Sequence, residues 1–153
     1  MPIIIRQAVA GDLPVVKDMT ERAYAVWLPV LKYPPVPLTE DYVPRIAAGT
    51  VFLAQEGEAV CGLIVMEYAD EEDTVFSVAV DPDHAGKGIG PRMMSEMEDR
   101  ARASGKQRMT LYTNALMERN IGLYRKLGYT ETGRRPNPAR PVFTIVDMVK
   151  PLR

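Results

Sequence analysis

Hydrophobic residues along the chain either alternate with polar ones or form short continuous runs, and these patterns predict strands. Six such segments follow one another: "IIIRQA", "TVFLAQ", "AVCGLIVMEYA", "TVFSVAV", "RMTLYTN" and "PVFTIVDMV". A turn at residues 56–58 joins the second and third segments, which predicts an antiparallel hairpin. Helical patterns separate the later strands, and strand-helix-strand units favour a parallel arrangement in that part of the sheet.

Apolar residues that recur every three or four positions predict about four helices. We expect the side chain of Asp12 to cap the first helix and Gly49 to end a short second one. Met93 and Met97 share one face of a third helix, and "RNIGLYRKLG" predicts a fourth. Between the first two helices, "LPVLKYPPVP" contains four prolines in ten residues, so we expect an irregular loop there.

Length and charge narrow the classes of protein that fit this pattern. The chain has 153 residues, of which 46% are hydrophobic, and we expect a single domain over residues 1–153. The formal net charge is -1, and basic residues are scattered among acidic ones. Neither nucleic acid nor an anionic membrane is therefore an expected partner.

One cysteine and one histidine limit the available chemistry. Cys61 lies in an apolar run, where we expect a small buried strand residue, and a lone cysteine forms no internal disulfide, which fits a reducing compartment. With His84 as the only histidine, the usual zinc ligand sets are missing, and we expect no metal. The N-terminal apolar run is too short for a signal peptide and no run reaches membrane-spanning length, so we expect a cytoplasmic protein.

A glycine-rich segment, "AGKGIG" at residues 85–90, connects a predicted strand to a predicted helix. Glycines let a backbone approach a ligand closely, and the first amides of a helix attract anions, so this segment favours a phosphate site over a mere tight turn. A nucleoside triphosphate loop is excluded because Lys87 is followed by Gly88 and no Ser or Thr. A dinucleotide fingerprint is excluded because the third glycine comes one position early.

The chain resembles the GNAT superfamily of acyl-CoA-dependent N-acyltransferases. That family has the loop pattern Arg/Gln-x-x-Gly-x-Gly/Ala between a strand and a helix, which "AGKGIG" matches, and a second landmark, "LYRKLGY" at residues 123–129, lies where the family has it. Two positions depart from the pattern. Ala85 stands at the usual Arg/Gln position, and Met117 stands where many members carry an asparagine, with Asn120 as a substitute.

This resemblance implies the fold and the cosubstrate. The implied fold is mixed α/β (α+β), with a mostly antiparallel central sheet of about six to seven strands, a splayed parallel pair and about four flanking helices. The implied donor is acetyl-CoA, whose pyrophosphate the glycine loop holds and whose pantetheine lies along the end of the strand. The residues that this implies for acetyl-CoA binding are Val78, Ala79, Val80, Ala85, Gly86, Lys87, Gly88, Ile89, Gly90, Asn114, Asn120 and Tyr124.

The resemblance also implies catalytic roles. Tyr124 matches the family's general acid, although packing in the core is the alternative that its apolar neighbours favour. Asn114 and Asn120 either contact pantetheine or cap the helix. The amide of Val80 is expected to stabilise the developing oxyanion.

A base must take a proton from the acceptor amine, whose pKa is about 10.4 for an alkylammonium group. Glu67 is the first candidate because strand alternation puts it at the end of an apolar face, with Asp73, Glu72 or a water chain as alternatives. We expect the proline-rich loop to line the acceptor end of the site, with Tyr24, Trp27 and Tyr33 as aromatic candidates and packing in the core as the equal alternative for these residues.

Three functions remain compatible with the sequence. The favoured one is transfer of an acetyl group to a primary amine of a small molecule or peptide, in a ternary complex. The others are a noncatalytic acyl-CoA sensor and a transferase with another acyl group or a hydroxyl acceptor. The segment "RRPNPARPVF" is either an acceptor loop or a homodimer contact, and both alternatives stay open.

Overall fold

Seven strands hydrogen-bond in one sheet, in the order β1-β2-β3-β4-β5-β7-β6, among the residues that this computed structural model describes, 2–32 and 34–153. Every described strand register is antiparallel except that of β4 with β5, which is parallel. This confirms the predicted mixed, mostly antiparallel fold. The strands are β1 Ile3–Gln7, β2 Val51–Glu56, β3 Ala59–Tyr68, β4 Glu72–Val80, β5 Arg108–Asn114, β6 Thr130–Pro136 and β7 Thr144–Pro151.

Six α-helical segments occur in the same residues, and α2 and α3 are single turns. Short 3-10 turns at residues 10–12, 25–27 and 82–84 connect several elements. No helix in the described ranges is long and apolar enough to cross a membrane. The helices are α1 Leu13–Tyr24, α2 Leu28–Leu31, α3 Val36–Thr39, α4 Val43–Ala47, α5 Ile89–Ala103 and α6 Glu118–Lys126.

The proline-rich segment is more regular than the sequence predicted. It contains α2 and α3, each with a proline in its first turn, Pro29 and Pro37. A proline is compatible with the first turn of a helix because the amide there has no intrahelical acceptor in any case. Lys32, at a left-handed φ of 65°, ends α2.

Asp12 lies at the start of α1, but the prediction that its side chain caps this helix was wrong. Its carboxylate accepts hydrogen bonds from the guanidinium of Arg6 at 2.9 and 3.0 Å and from the amide of Val9 at 2.8 Å. The hydrogen bonds from Arg6 lower the pKa of Asp12. Arg6 therefore directs this carboxylate back towards β1 and away from the amides of α1.

The chain forms two compact units, of which the first comprises residues 1–67 and 76–97. It contains β1, β2, most of β3, the second half of β4, and the helices α1 to α4 with the first part of α5. Cys61, predicted to be a buried strand residue, is buried here and its Sγ donates to the carbonyl of Ala54. The fully buried side chains of this unit include Val16, Met19, Leu53, Leu63, Ile64, Met66, Ile89 and Met93.

Gly62 allows α5 to approach β3 closely. A Cβ built at this glycine would lie 2.9 Å from the Cε of Met93, 3.1 Å from the Cγ2 of Ile89 and 3.1 Å from the carbonyl oxygen of Ala79. Ordinary van der Waals contact begins at about 3.4 Å, so a Cβ at this position would crowd the carbonyl of Ala79 and the side chains of Ile89 and Met93, and these neighbours would have to move. Ile89 and Met93 thus pack directly on the strand backbone.

The second unit comprises residues 68–75 and 98–153. The parallel register runs from Glu72–Arg108 to Val75–Leu111, and β5, β7 and β6 continue as antiparallel neighbours. Its buried polar centre is Glu98, which accepts a hydrogen bond from the Tyr129 hydroxyl at 2.8 Å and another from Lys150 Nζ at 2.9 Å.

The sequence analysis missed β6 as a separate strand. All of its residues are exposed, and "TETGRRP" has no alternation of apolar and polar residues that would reveal a strand. Pairing with β7 forms it, and that pairing includes an irregularity between Glu131 and Gly133.

We predict that Gly62→Ala lowers the free energy of unfolding by about 1–2 kcal/mol, because the added methyl group overpacks the contact with α5. The matched control is Gly122→Ala in α6, where an added Cβ meets nothing within 4 Å, and there we expect no loss of stability. Urea denaturation of both variants measures the difference. Equal stability of Gly62→Ala and the wild type would contradict the close-approach argument.

Candidate active site

The segment between β4 and α5 has an open, glycine-dependent backbone. β4 ends at Val80, a 3-10 turn covers residues 82–84, and residues 85–88 are exposed before α5 begins at Ile89. Gly86 and Gly88 have φ values of 81° and 74°, in the left-handed region that favours glycine. A Cβ at either position would meet nothing within 4 Å, so the space above both glycines is open.

This geometry suits an anion. The first amides of a helix have no intrahelical acceptors, and the dipole of a helix places partial positive charge at its N-terminus. α5 has 15 residues, and the exposed glycine loop leads directly into its first turn. Lys87 on the loop lies 3.7 Å from Glu56, in an ion pair whose lysine side chain is half exposed. The backbone of this segment is compatible with phosphate binding, which stays a prediction.

Asp81 fixes the beginning of the loop, and the sequence analysis did not identify it. Its carboxylate accepts two hydrogen bonds from Arg22 of α1, at 2.9 and 2.7 Å, and one from the amide of Asp83 at 3.0 Å. Burial alone would raise the pKa of Asp81, but the Asp83 amide and the Arg22 guanidinium lower it below its usual value. The signal in the sequence was the order Asp-Pro-Asp at residues 81–83, which is typical of a turn.

The backbone of β4 directs two candidate amides away from β3. The amide of Asp81 donates to the carbonyl of Cys61 on β3 at 2.9 Å. Successive amides of a strand point to opposite edges, so the amide of Val80 points away from β3, and that of Val78 does so by the same alternation. These are the amides that the sequence analysis assigned to pantetheine and to the oxyanion.

Two of the three aromatic acceptor candidates can be described. The Tyr24 hydroxyl lies 3.1 Å from Ser77 Oγ on β4, and burial raises the pKa of Tyr24. Trp27, in the 3-10 turn after α1, is partly buried. Tyr33 lies outside the described residues. Ser77, which is 3% exposed, was not among the predicted residues, and a lone serine in an apolar strand gave no signal for it.

Glu67, the first candidate for the base, is held by an arginine. Its Oε2 accepts a hydrogen bond from Nη2 of Arg45, on α4, at 3.0 Å, and its side chain is 43% exposed. Arg45 also binds Glu40 and lies over the ring of Phe76, 3.8 Å from its centroid. The sequence analysis did not identify Arg45, because a single arginine in a short helix is compatible with a solvated surface.

The alternative bases, Asp73 and Glu72, form ion pairs or hydrogen bonds with other residues of the second unit. Asp73 is buried and lies 3.3 Å from Lys106 Nζ, and burial raises the pKa of its carboxyl. Glu72 accepts hydrogen bonds from Arg108 and Thr110. Glu72 thus holds the start of β4 against β5, whereas Asp73 pairs with the segment just before β5.

The remaining predicted residues belong to the second unit. Tyr124 on α6 is 8% exposed, and its ring packs edge-on against Tyr129, with the centroids 6.3 Å apart. Asn114 Oδ1 accepts the amide of Leu116 at 2.9 Å and so holds the turn between β5 and α6. The backbone amide of Asn120 donates to the carbonyl of Met117, which is buried at the start of α6.

Comparison with known proteins identifies the family. The model of the acetyltransferase (GNAT) family matches residues 16–129, which include the glycine loop, β4 and the whole landmark segment. This chain belongs to the GNAT family. The match confirms the resemblance stated from the loop and the landmark.

Curated relatives match parts of this GNAT chain. An IAA acetyltransferase from Azospirillum brasilense is 34% identical over 73 residues, which cover 48% of each chain. The ribosomal protein bS18-alanine N-acetyltransferase of Escherichia coli strain K12 is 32% identical over 85 residues, 56% of this chain and 57% of the relative. The chain thus spans about half the length of these curated relatives.

Solved structures share the fold over the whole chain. PaiA N-acetyltransferase from Thermoplasma acidophilum, solved in complex with coenzyme A, has a TM-score of 0.83 at 16% identity and 99% coverage of both chains. The E. coli ribosomal-protein-S18-alanine N-acetyltransferase has a TM-score of 0.76 at 22% identity, covering 99% of this chain and 94% of that one. At these identities the likeness shows the GNAT fold alone.

We predict that Asp81→Asn lowers the free energy of unfolding at pH 7 by about 2 kcal/mol, because it weakens hydrogen bonds to a buried charged group. A lowered pKa stabilises the folded protein above the unfolded value of about 3.9, and this contribution is lost as the pH falls through the folded value. The gap between wild type and variant should therefore narrow below about pH 3.9. Chemical denaturation across this range measures it, with Asp18→Asn, at an exposed carboxylate 3.9 Å from Arg22, as the control. A gap that is independent of pH would contradict this account of Asp81.

Proposed function

We propose that this chain is an N-acetyltransferase, a single domain over residues 1–153, that transfers an acetyl group from acetyl-CoA to a primary amine of a small molecule or peptide. The observation that carries the proposal is the open loop at residues 85–90, with Gly86 and Gly88 at positive φ, between β4 and the N-terminus of α5. Curated relatives named as acetyltransferases of different acceptors support it.

In this proposal, the amides of residues 86–90 bind the pyrophosphate of acetyl-CoA. Ala85 supplies no side-chain donor at the position where the family usually has Arg or Gln, so the backbone carries most of the interaction. Lys87 is exposed enough to exchange its ion pair with Glu56 for a contact with phosphate, and Lys126 is a second candidate. The side chain of Ile89, which is 2% exposed, anchors the loop to the core.

The second half of β4 binds the pantetheine arm. The amides of Val78 and Val80 point away from β3. They can donate hydrogen bonds to an extended ligand in the way that they would to an added strand. The amide of Val80 then stabilises negative charge on the thioester oxygen. Asn114 and Asn120 are proposed contacts of the same arm.

Transfer is direct and needs one acid and one base. The amine nitrogen bonds to the thioester carbon, the carbon–sulfur bond breaks, and a base accepts a proton from the amine while an acid protonates the departing thiolate. Tyr124 is the proposed acid, since a phenol with a pKa of about 10 can protonate a thiolate of similar basicity. Glu67, held by Arg45, is the proposed base, either directly or through water.

Tyr24 and Trp27 are proposed to line the acceptor site, together with Tyr33. A cytoplasmic setting is part of the proposal, in keeping with Cys61 as a buried, reduced thiol. Transfer of a longer acyl group remains the alternative reaction of the same site.

We predict that Gly88→Glu abolishes acetyl-CoA binding, because it places a side chain and a like charge where the pyrophosphate binds, at a φ of 74°. The matched control is Gly11→Glu, at an exposed glycine of the first 3-10 turn where an added Cβ meets nothing within 4 Å. Calorimetric titration gives the affinity, and circular dichroism checks the fold. Binding of acetyl-CoA by folded Gly88→Glu with wild-type affinity would contradict the proposed loop.

Tyr124→Phe should keep acetyl-CoA binding and lower kcat by about 10²–10⁴-fold, the usual range for losing general acid catalysis. Thiol release with a panel of primary amines measures turnover, and Tyr68→Phe, at an exposed tyrosine of β3, is the control. Wild-type kcat in Tyr124→Phe would remove this residue as the acid. If the wild-type protein binds acetyl-CoA but turns over none of the amines, the noncatalytic acyl-CoA sensor would be favoured.

A further inference from the structure

We propose that the acceptor is an amine without a neighbouring carboxylate group, such as a biogenic amine or a peptide N-terminus, and that free α-amino acids are disfavoured. This inference rests on the proposed function and specifies its substrate class. It follows from how the chain uses the two arginines that lie along the second half of β4, Arg22 and Arg45. Both guanidinium groups already bind carboxylates of the chain.

Arg45 is occupied on several sides. Its Nε donates to Glu40 Oε2 at 2.9 Å, its Nη2 donates to Glu67 Oε2 at 3.0 Å, and its Cζ lies 3.8 Å from the centroid of the Phe76 ring. The side chain is only 20% exposed. A substrate carboxylate would have to displace Glu40 or Glu67 in order to bind this guanidinium in the usual bidentate manner.

Arg45 lies close to the strand segment where transfer is proposed. Phe76, under its guanidinium, precedes Val78 by two residues on β4, which corresponds to about 7 Å along a strand. The Tyr24–Ser77 hydroxyl pair lies between these two positions in the sequence. In the proposed function the acceptor amine reaches the same segment of β4, so it enters the electrostatic field of the charges around Arg45.

Arg22 is equally occupied on the other side of this segment. Two nitrogens of its guanidinium bind Asp81 at 2.9 and 2.7 Å, and Nη2 also binds Asp83 at 3.0 Å. Asp18, one turn earlier on α1, lies 3.9 Å away. Both Nη atoms of this arginine are therefore already bound to carboxylates at the start of the loop.

The resulting charge balance favours a cation. Around Arg45, the carboxylates of Glu40 and Glu67 face a single guanidinium, so the formal sum of these three groups is 1 − 2 = −1. A protonated amine is attracted to this surface, whereas an α-carboxylate is repelled and meets Arg45 already bound by Glu40 and Glu67. Rejection by unpaired like charge is a common source of specificity.

The experiment compares amines with the amino acids from which they differ by one carboxylate. The wild-type protein, saturated with acetyl-CoA, is assayed for thiol release with tyramine, tyrosine amide and tyrosine, and with agmatine and arginine. We expect kcat/KM for the carboxylate-free member to exceed that of the amino acid at least 10-fold in each series that is turned over. An amino acid used as well as its amine, or better, would overturn the inference.

A variant tests whether the Arg45 contacts cause the preference. Glu40→Gln keeps the size of the side chain and removes one of the two charges on Arg45, so the amine-to-amino-acid ratio of kcat/KM should fall at least 5-fold, mainly through a lower KM for the amino acid. Glu58→Gln, in the exposed hairpin turn, is the charge-matched control and should leave the ratio unchanged. An unchanged ratio in folded Glu40→Gln would overturn the role of Arg45.

The outcomes separate the two levels of the proposal. If acetyl-CoA binds but no compound of either kind releases thiol, the transferase itself is wrong and the substrate inference is wrong with it. If tyrosine and arginine are turned over as efficiently as their amines, transfer is supported and only the substrate class is wrong.

Discussion

The close approach of α5 to β3 at Gly62 is the constraint on which the candidate site depends. Because this residue has no side chain, Ile89 and Met93 pack directly on the strand, and the first turn of α5 is fixed next to the end of β4. The glycine loop can then remain exposed and open while both of its ends are held. Asp81, bound by Arg22, holds the other end.

Two opposite electrostatic environments follow from this arrangement within one compact unit. The loop and the N-terminus of α5 present amides, which suit the anionic end of an acyl-CoA. At Phe76, where the part of β4 in this unit begins, the two carboxylates of Glu40 and Glu67 bind the single guanidinium of Arg45. This excess of negative charge suits a cationic acceptor. The donor and the acceptor would thus be recognised by opposite charges.

The sequence predicted those features that local patterns carry. The loop "AGKGIG", the methionine face of α5 and most of the strands were predicted because each depends on residues close together in the chain. β6 was missed because only its pairing with β7 makes it a strand. The Arg22–Asp81 and Arg45–Glu67 pairs join residues 59 and 22 positions apart, and no local pattern predicts such contacts. Gly62 was overlooked because its role depends on a helix that begins 27 positions later in the sequence.

The most direct test of the central claim is backbone amide exchange, measured by NMR on the wild-type protein with and without saturating acetyl-CoA. If the loop and β4 bind the donor, the amides of residues 86–90 and those of Val78 and Val80 gain protection and shift, while distant strands such as β1 stay unchanged. Unchanged exchange at the loop, with acetyl-CoA bound elsewhere or not at all, would contradict the account.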